Sequence, residues 1–201
     1  MKIAIVGGTG NIGTRMAKEA ASRGHSVTAI SRHPENAHKD AKVTAKRGDV
    51  TDPKSLAPML AGHDVVISSV RFSESPADNV IAATKAAGVK RLLVVGGAAS
   101  LKGKDGKLIF ESLPEAWRGE AGAGIKFLDK LKTETAIDWT FLSPSALIGP
   151  GERTGKFRLG LEELLVDANG KSHISYEDFA IAMIDEVEKP AHVRKRFTVG
   201  Y

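Results

Sequence analysis

The chain opens Lys2-Ile3-Ala4-Ile5-Val6-Gly7-Gly8-Thr9-Gly10-Asn11-Ile12-Gly13, and few folds accept such a start. Five mostly apolar residues suit a buried strand. Glycines follow at once, as G-x-x-G-x-x-G from Gly7 and G-x-G-x-x-G from Gly8. The Ala-rich segment Asn11–Arg23 then carries helix signals and stops at Gly24. A strand turned by glycine into a helix lets backbone N–H groups approach a pyrophosphate, and the helix N-terminus adds free donors and a favourable dipole. Gly13 would allow close helix–sheet packing. A glycine-rich turn without a ligand is the alternative. No Lys-Ser or Lys-Thr follows the glycines, so the loop is not a P-loop.

The same alternation continues along the chain. Short apolar runs at Ser26–Ile30, Val43–Lys46, Asp64–Val70, Arg91–Val95 and Trp139–Leu142 read as buried parallel strands, with Arg196–Val199 as a last one. Helices are expected at Lys54–Leu60, capped by Asp52-Pro53, and at Ala77–Ala87, capped by Ser75-Pro76. A longer one falls within Glu115–Thr135, weakened in its first half by Gly119, Gly122 and Gly124. Ser175 caps a final helix to about Glu188. The least regular stretches are Gly96–Leu113 and Gly149–Gly170. Repeated strand–helix units imply an α/β, doubly wound (Rossmann-type) parallel sheet with helices on both faces and a small C-terminal extension. With 201 residues, one NAD(P)-binding domain over 1–201 is expected, its acceptor site built from the loops after strands 4–6.

The end of the second strand reads Ile30-Ser31-Arg32, with no acid until Glu35. An NAD site places Asp or Glu about 20 residues beyond the glycines. Here that place holds a guanidinium, suited to bidentate pairing with a 2′-phosphate, with the Ser31 hydroxyl beside it. NADP(H) is therefore expected over NAD(H), unless Arg32 is only a surface charge. Other chemistries are excluded more easily. There is no cysteine, hence no thiolate nucleophile and no Cys-based metal site. His33, Glu35 and His38 lack a ligand-like spacing, and Gly-x-Ser-x-Gly is absent. The net charge of +5 comes with only 5% aromatic residues, which gives no stacking platform for nucleic acid. The basic cluster His192, Arg194, Lys195, Arg196 reads as a solvated face. No apolar run approaches the ~20 residues of a membrane span. The expectation is a cytoplasmic monomer or homodimer that meets a small molecule, without nucleic acid or membrane.

With Gly7 to Gly13, Ser31-Arg32, Gly48-Asp49-Val50-Thr51-Asp52 and Asp138-Trp139-Thr140 ahead of Ser143-Pro144, the chain resembles the atypical short-chain dehydrogenase/reductases. Within them it is similar to the NAD(P)H-binding, NmrA-like proteins, including NADH-flavin reductases and biliverdin reductase B. The resemblance implies that Gly7, Thr9, Gly10, Asn11, Ile12 and Gly13 serve the pyrophosphate. It implies that Asp49 and Val50 flank the adenine, although Asp49 would equally cap a turn. Ser68, Ser69 and Val70 would line the ribose side. Gly96 to Ser100, Gly97 among them, would face the nicotinamide, with Pro144 and Ser145 covering it.

Departures from the family pattern shape the chemistry. The only tyrosines are Tyr176 and Tyr201, so the usual Tyr-x-x-x-Lys acid is missing. Lys126 stands where the family lysine would fall, or is a solvent-facing helix residue. Ser100 is the nearest hydroxyl for a substrate contact. Without a strong acid, hydride transfer to an acceptor that spreads charge, a flavin or quinone, is favoured over ketone reduction. Arg71 and Phe72 could meet that acceptor. The loop Pro150–Lys156 sits where a lid would, with Arg153 and Lys156 reaching for phosphate or substrate. The expected function is thus an NADPH-dependent oxidoreductase. A non-catalytic NAD(P) sensor of the NmrA type is the alternative, and a nucleotide-sugar epimerase or dehydratase a more distant one.

Overall fold

The structure is a computed structural model describing residues 1–201. Its main sheet contains β1 (Lys2–Val6), β2 (Ser26–Ser31), β3 (Val43–Arg47), β4 (Val65–Ser68), β5 (Arg91–Val95) and β6 (Asp138–Ser143). Beyond these come β7 (Leu147–Gly149), β8 (Arg158–Gly160), β9 (His173–Ser175) and β10 (Lys195–Gly200). The eight-stranded order is β3-β2-β1-β4-β5-β6-β10-β8, parallel except for the antiparallel edge strand β8. β7 and β9 form a separate parallel pair. Strand order reverses between β1 and β4, the switch point at which open α/β sheets bind ligands.

Helices α1 (Asn11–Ser22) and α5 (Tyr176–Glu188) cover one face, and α2 (Pro53–Leu60), α3 (Ala77–Ala86) and α4 (Glu115–Lys132) the other. Alternate residues of β1 divide between the two layers. Ile3 and Ile5 pack with Met16 of α1 and Phe179 of α5, whereas Ala4 and Val6 pack with Leu56, Val80 and Phe127. The buried strands are apolar on both faces for this reason. Asp52 caps α2 by accepting from the Ser55 N–H at 3.2 Å, and Ser175 caps α5 by accepting from the Asp178 N–H at 3.0 Å.

Several expectations are corrected. At α3 the N-cap is Pro76, and the Ser75 hydroxyl lies buried without a partner. α4 runs unbroken through its glycines, and Gly124 is required: a Cβ there would stand 2.9 Å from the Phe72 ring. The basic C-terminal cluster is not one solvated face. Arg196 is buried, pairing with Glu162, and His192 Nδ1 bonds Glu186 at 2.8 Å. No helix is long and apolar enough to cross a membrane.

Candidate functional site

Two cavities lie along the carboxyl ends of the strands, and Arg71 lines both. The first, of about 230 Å³, straddles the switch point. Gly7, Thr9 and Gly10 follow β1, and Ser31 and Arg32 end β2. Asp49 and Val50 follow β3, and Ser69, Val70 and Glu74 follow β4. The second, of about 580 Å³, is framed by Phe72, by Gly96–Ser100 after β5, by Pro144–Ala146 after β6, and by one face of α4.

The glycine loop is built by contact. A Cβ on Gly7 would come within 2.2 Å of the Ser69 carbonyl oxygen, and one on Gly13 within 2.1 Å of the Gly7 carbonyl oxygen. Gly7 also holds φ +82°, a conformation that favours glycine. The loop and α1 can therefore approach each other only without side chains. At the start of α1 the N–H groups of Thr9, Asn11, Ile12 and Gly13 have no acceptor within the protein, and Gly10 caps the helix without a side-chain bond. Four free donors at one helix N-terminus are a fitting cradle for an anion.

Across this cavity, Arg32 Nη2 donates to Glu74 Oε2 at 2.9 Å. Both side chains are well exposed. Asp49 Oδ1 accepts from the N–H and hydroxyl of Thr51, at 2.9 and 2.8 Å. These two bonds hold its carboxyl below the usual range and tie it into a turn.

The second cavity is mainly apolar. Its polar groups are Arg71, Ser100, Ser145 and Glu120. Burial opposes ionisation of Glu120, but bonds from Ser73 and from the Phe72 N–H outweigh it and hold the carboxyl below its ordinary value. The backbone distances are 2.7 Å to Phe72 and 3.0 Å to Ser73. Glu120 is thus an anion that fastens the turn after β4 to α4. Ser100 Oγ accepts from Arg196 Nη1 at 3.2 Å, which leaves its own proton free to point into the cavity. Ser145 Oγ donates to the Val199 carbonyl at 3.0 Å.

Some expected site residues lie elsewhere. Lys126 is exposed and lines neither cavity. The cavity face of α4 carries Trp117, Glu120, Ala121 and Gly124, and a helix places position 126 about 200° around from 124. Ser68 is buried inside β4, and Asn11, Ile12 and Gly13 do not line the first cavity. Arg153 faces Glu19 of α1, with Nε to Oε2 and Nη2 to Oε1 both at 2.8 Å. Lys156 is exposed and lines neither cavity. The expected lid is fastened down. Thr154 and Gly155 donate to the buried Asp178, and Gly151 N–H donates to Glu177. Trp117 and Glu120 carry no motif; their signal in the sequence is only their helical spacing from Gly124.

Residues 7–190 match the family model described as NAD(P)H-binding. The chain belongs to that family. The free amides and the glycine contacts fit such a nucleotide. The chain is 36% identical, over an alignment 214 positions long, to the uncharacterized protein YwnB of Bacillus subtilis, covering 99% of this chain and 98% of that protein. It superposes at TM-score 0.94 on a proposed epimerase from Bacteroides thetaiotaomicron, 41% identical, covering 100% of this chain and 96% of that one. It superposes at TM-score 0.86 on a proposed NADH-flavin reductase from Streptococcus pneumoniae, 30% identical, covering 100% and 99%.

Proposed function

We propose that this protein is a reductase that takes hydride from NADPH and passes it to a small flat acceptor of the flavin or quinone type. The supporting observation is the pair of cavities that share Arg71: one bordered by the glycine loop and lined by the Arg32 and Arg71 guanidinium groups, with the unpaired amides of α1 next to it, the other with mainly apolar walls. NADPH, when bound, supplies the hydride. The amides of Thr9, Asn11, Ile12 and Gly13 would hold its phosphates. Arg32, with Ser31, would pair with the 2′-phosphate and release Glu74. Gly97 and Pro144 present little side chain at the strand ends, leaving room for a flat ring. The Ser100 hydroxyl would donate a hydrogen bond to the acceptor oxygen on which charge develops, with the proton itself supplied by water.

α4 carries no tyrosine. An acceptor that spreads the added charge requires no strong acid, and water can complete the protonation. This supports a flavin or quinone over an alcohol–ketone pair. The Streptococcus relative's description as a flavin reductase supports the same reading. The missing tyrosine is also what a cofactor-binding regulator without turnover would show, and that is the second reading.

NADPH oxidation with FMN, menadione and dichlorophenolindophenol decides between them. Turnover with at least one acceptor is expected. Cofactor binding without turnover by any would overturn the reductase and leave the regulator. Arg32→Ala should weaken NADPH at least tenfold more than NADH, since it removes a charge-assisted pair to the phosphate; equal losses would remove the NADP assignment.

A further inference from the structure

The second cavity has a shape more specific than "apolar". Along α4 its face runs Trp117, Glu120, Ala121, Gly124. At one end the Phe72 ring lies over Gly124, close enough that a Cβ there would be 2.9 Å away. Phe72 is fixed in place: its ring meets Phe127 edge-on at 5.3 Å and lies over Phe141 at 6.0 Å, and Glu120 holds its backbone N–H. At the other end stands Trp117, seven residues earlier and so about 10 Å along the helix. Between them the helix presents the small Ala121 and Glu120, whose carboxylate is taken up by the 72 and 73 amides. The span of about 10 Å along the helix is longer than a single six-membered ring.

Trp117 is 62% exposed, whereas the chain's other tryptophan, Trp139, is 4% exposed. No aromatic ring stacks on Trp117, and its i+4 neighbour is the small Ala121. A large aromatic side chain at the rim of an apolar cavity offers contact area for a planar ligand at low entropic cost. We infer that Trp117 is the stacking residue for the distal ring of a fused two- or three-ring acceptor, with Phe72 as the fixed wall at the nicotinamide end. This rests on the reading of the second cavity as the acceptor site. It goes further in assigning ring number as the property the site selects and Trp117 as the residue that selects it.

The test compares wild type, Trp117→Ala and Trp117→Phe, each saturated with NADP⁺. Calorimetry measures the affinity for FMN, menadione and a single-ring dimethylbenzoquinone, and steady-state kinetics supply KM and kcat. Trp117→Ala should weaken the fused-ring ligands about tenfold, the size of one aromatic stacking contact. It should leave the single-ring quinone within twofold and NADPH affinity unchanged, and Trp117→Phe should recover most of the loss. Equal affinity of wild type and Trp117→Ala for FMN and menadione overturns the inference. So does a loss shared by the single-ring quinone, which would mark a collapsed wall. The wild-type arm reports separately on the acceptor site itself: binding of no planar ligand there overturns the proposed function together with this inference.

Discussion

Arg153 grips Glu19 with two parallel 2.8 Å hydrogen bonds, joining a loop beyond β7 to the last turns of α1. Glu19 is 5% exposed, and Arg23 holds it as well at 2.8 Å. The Arg153 bond, against the effect of burial and aided by Arg23, keeps the Glu19 carboxyl below its ordinary value. Its ion-pair stability is therefore complete above the unfolded carboxyl value of about 4.3 and is lost as pH falls through the lower folded value. Arg153→Ala should cost about 1–2 kcal/mol at pH 7, since Arg23 remains to neutralise Glu19. The difference from wild type should shrink below about pH 4 as Glu19 protonates. NADPH affinity should not change. Urea denaturation at both pH values and a cofactor titration check this, and a loss of NADPH binding would return Arg153 to the site.

The Arg32–Glu74 pair predicts a gain rather than a loss. Glu74 sets a carboxylate against the guanidinium that would meet the 2′-phosphate. An exposed pair of this kind is worth about 0.2–1 kcal/mol. Glu74→Gln should therefore tighten NADPH by about two- to fivefold and leave NADH unchanged, and the gain should fade in high salt. Calorimetry with both nucleotides measures it. An equal gain for NADH would show that Glu74 acts on something other than the phosphate.

Gly13 and Gly10 separate packing from binding. A Cβ on Gly13 would overlap the Gly7 carbonyl oxygen at 2.1 Å, so Gly13→Ala must push α1 away from the loop. A cost of about 2–3 kcal/mol and loss of nucleotide binding are expected. At Gly10 the nearest atom is 3.4 Å away and φ is −73°, open to any residue. Gly10→Ala should keep stability within about 1 kcal/mol while weakening the nucleotide. Thermal melts and cofactor titration of both variants distinguish the two roles; a Gly13→Ala protein as stable as wild type would contradict the packing account.

Much of this was legible in the sequence because fully buried parallel strands are written as continuous apolar runs. Val65–Ser68 and Arg91–Val95 need no tertiary information to be found. β7, β8 and β9 leave no mark in the sequence because three residues are too few to show a period, and each pairs with a strand distant in the chain. Which of its two readings Lys126 takes is hidden for a related reason. The phase of α4 is set by Phe72 against Gly124, a contact across 52 positions that helix spacing cannot reveal. Trp117 and Glu120 went unseen because a helix face lining a cavity is composed much like one facing water. The partner of Arg153 cannot be seen in the sequence, because Glu19 lies 134 residues away.

The last contact of this kind is the most deeply buried. Glu186, 4% exposed, accepts from Arg91 Nη2 at 2.9 Å, from the His192 N–H at 2.9 Å and from His192 Nδ1 at 2.8 Å. Arg91 also donates to the Thr140 hydroxyl at 2.8 Å, so one ion pair ties α5 to β5 and β6. Burial lowers the Arg91 value, a sign that desolvation opposes the charge and its partners must offset it. Such a pair contributes little net stability beside an apolar substitute, yet removing one member leaves a buried charge uncompensated. Arg91→Met alone should therefore cost about 3–5 kcal/mol, and Glu186→Leu a similar amount. The double variant should lose far less than the two losses added together, because neither charge is left behind. A denaturant double-mutant cycle measures the coupling; strictly additive losses would mean that the two residues act independently.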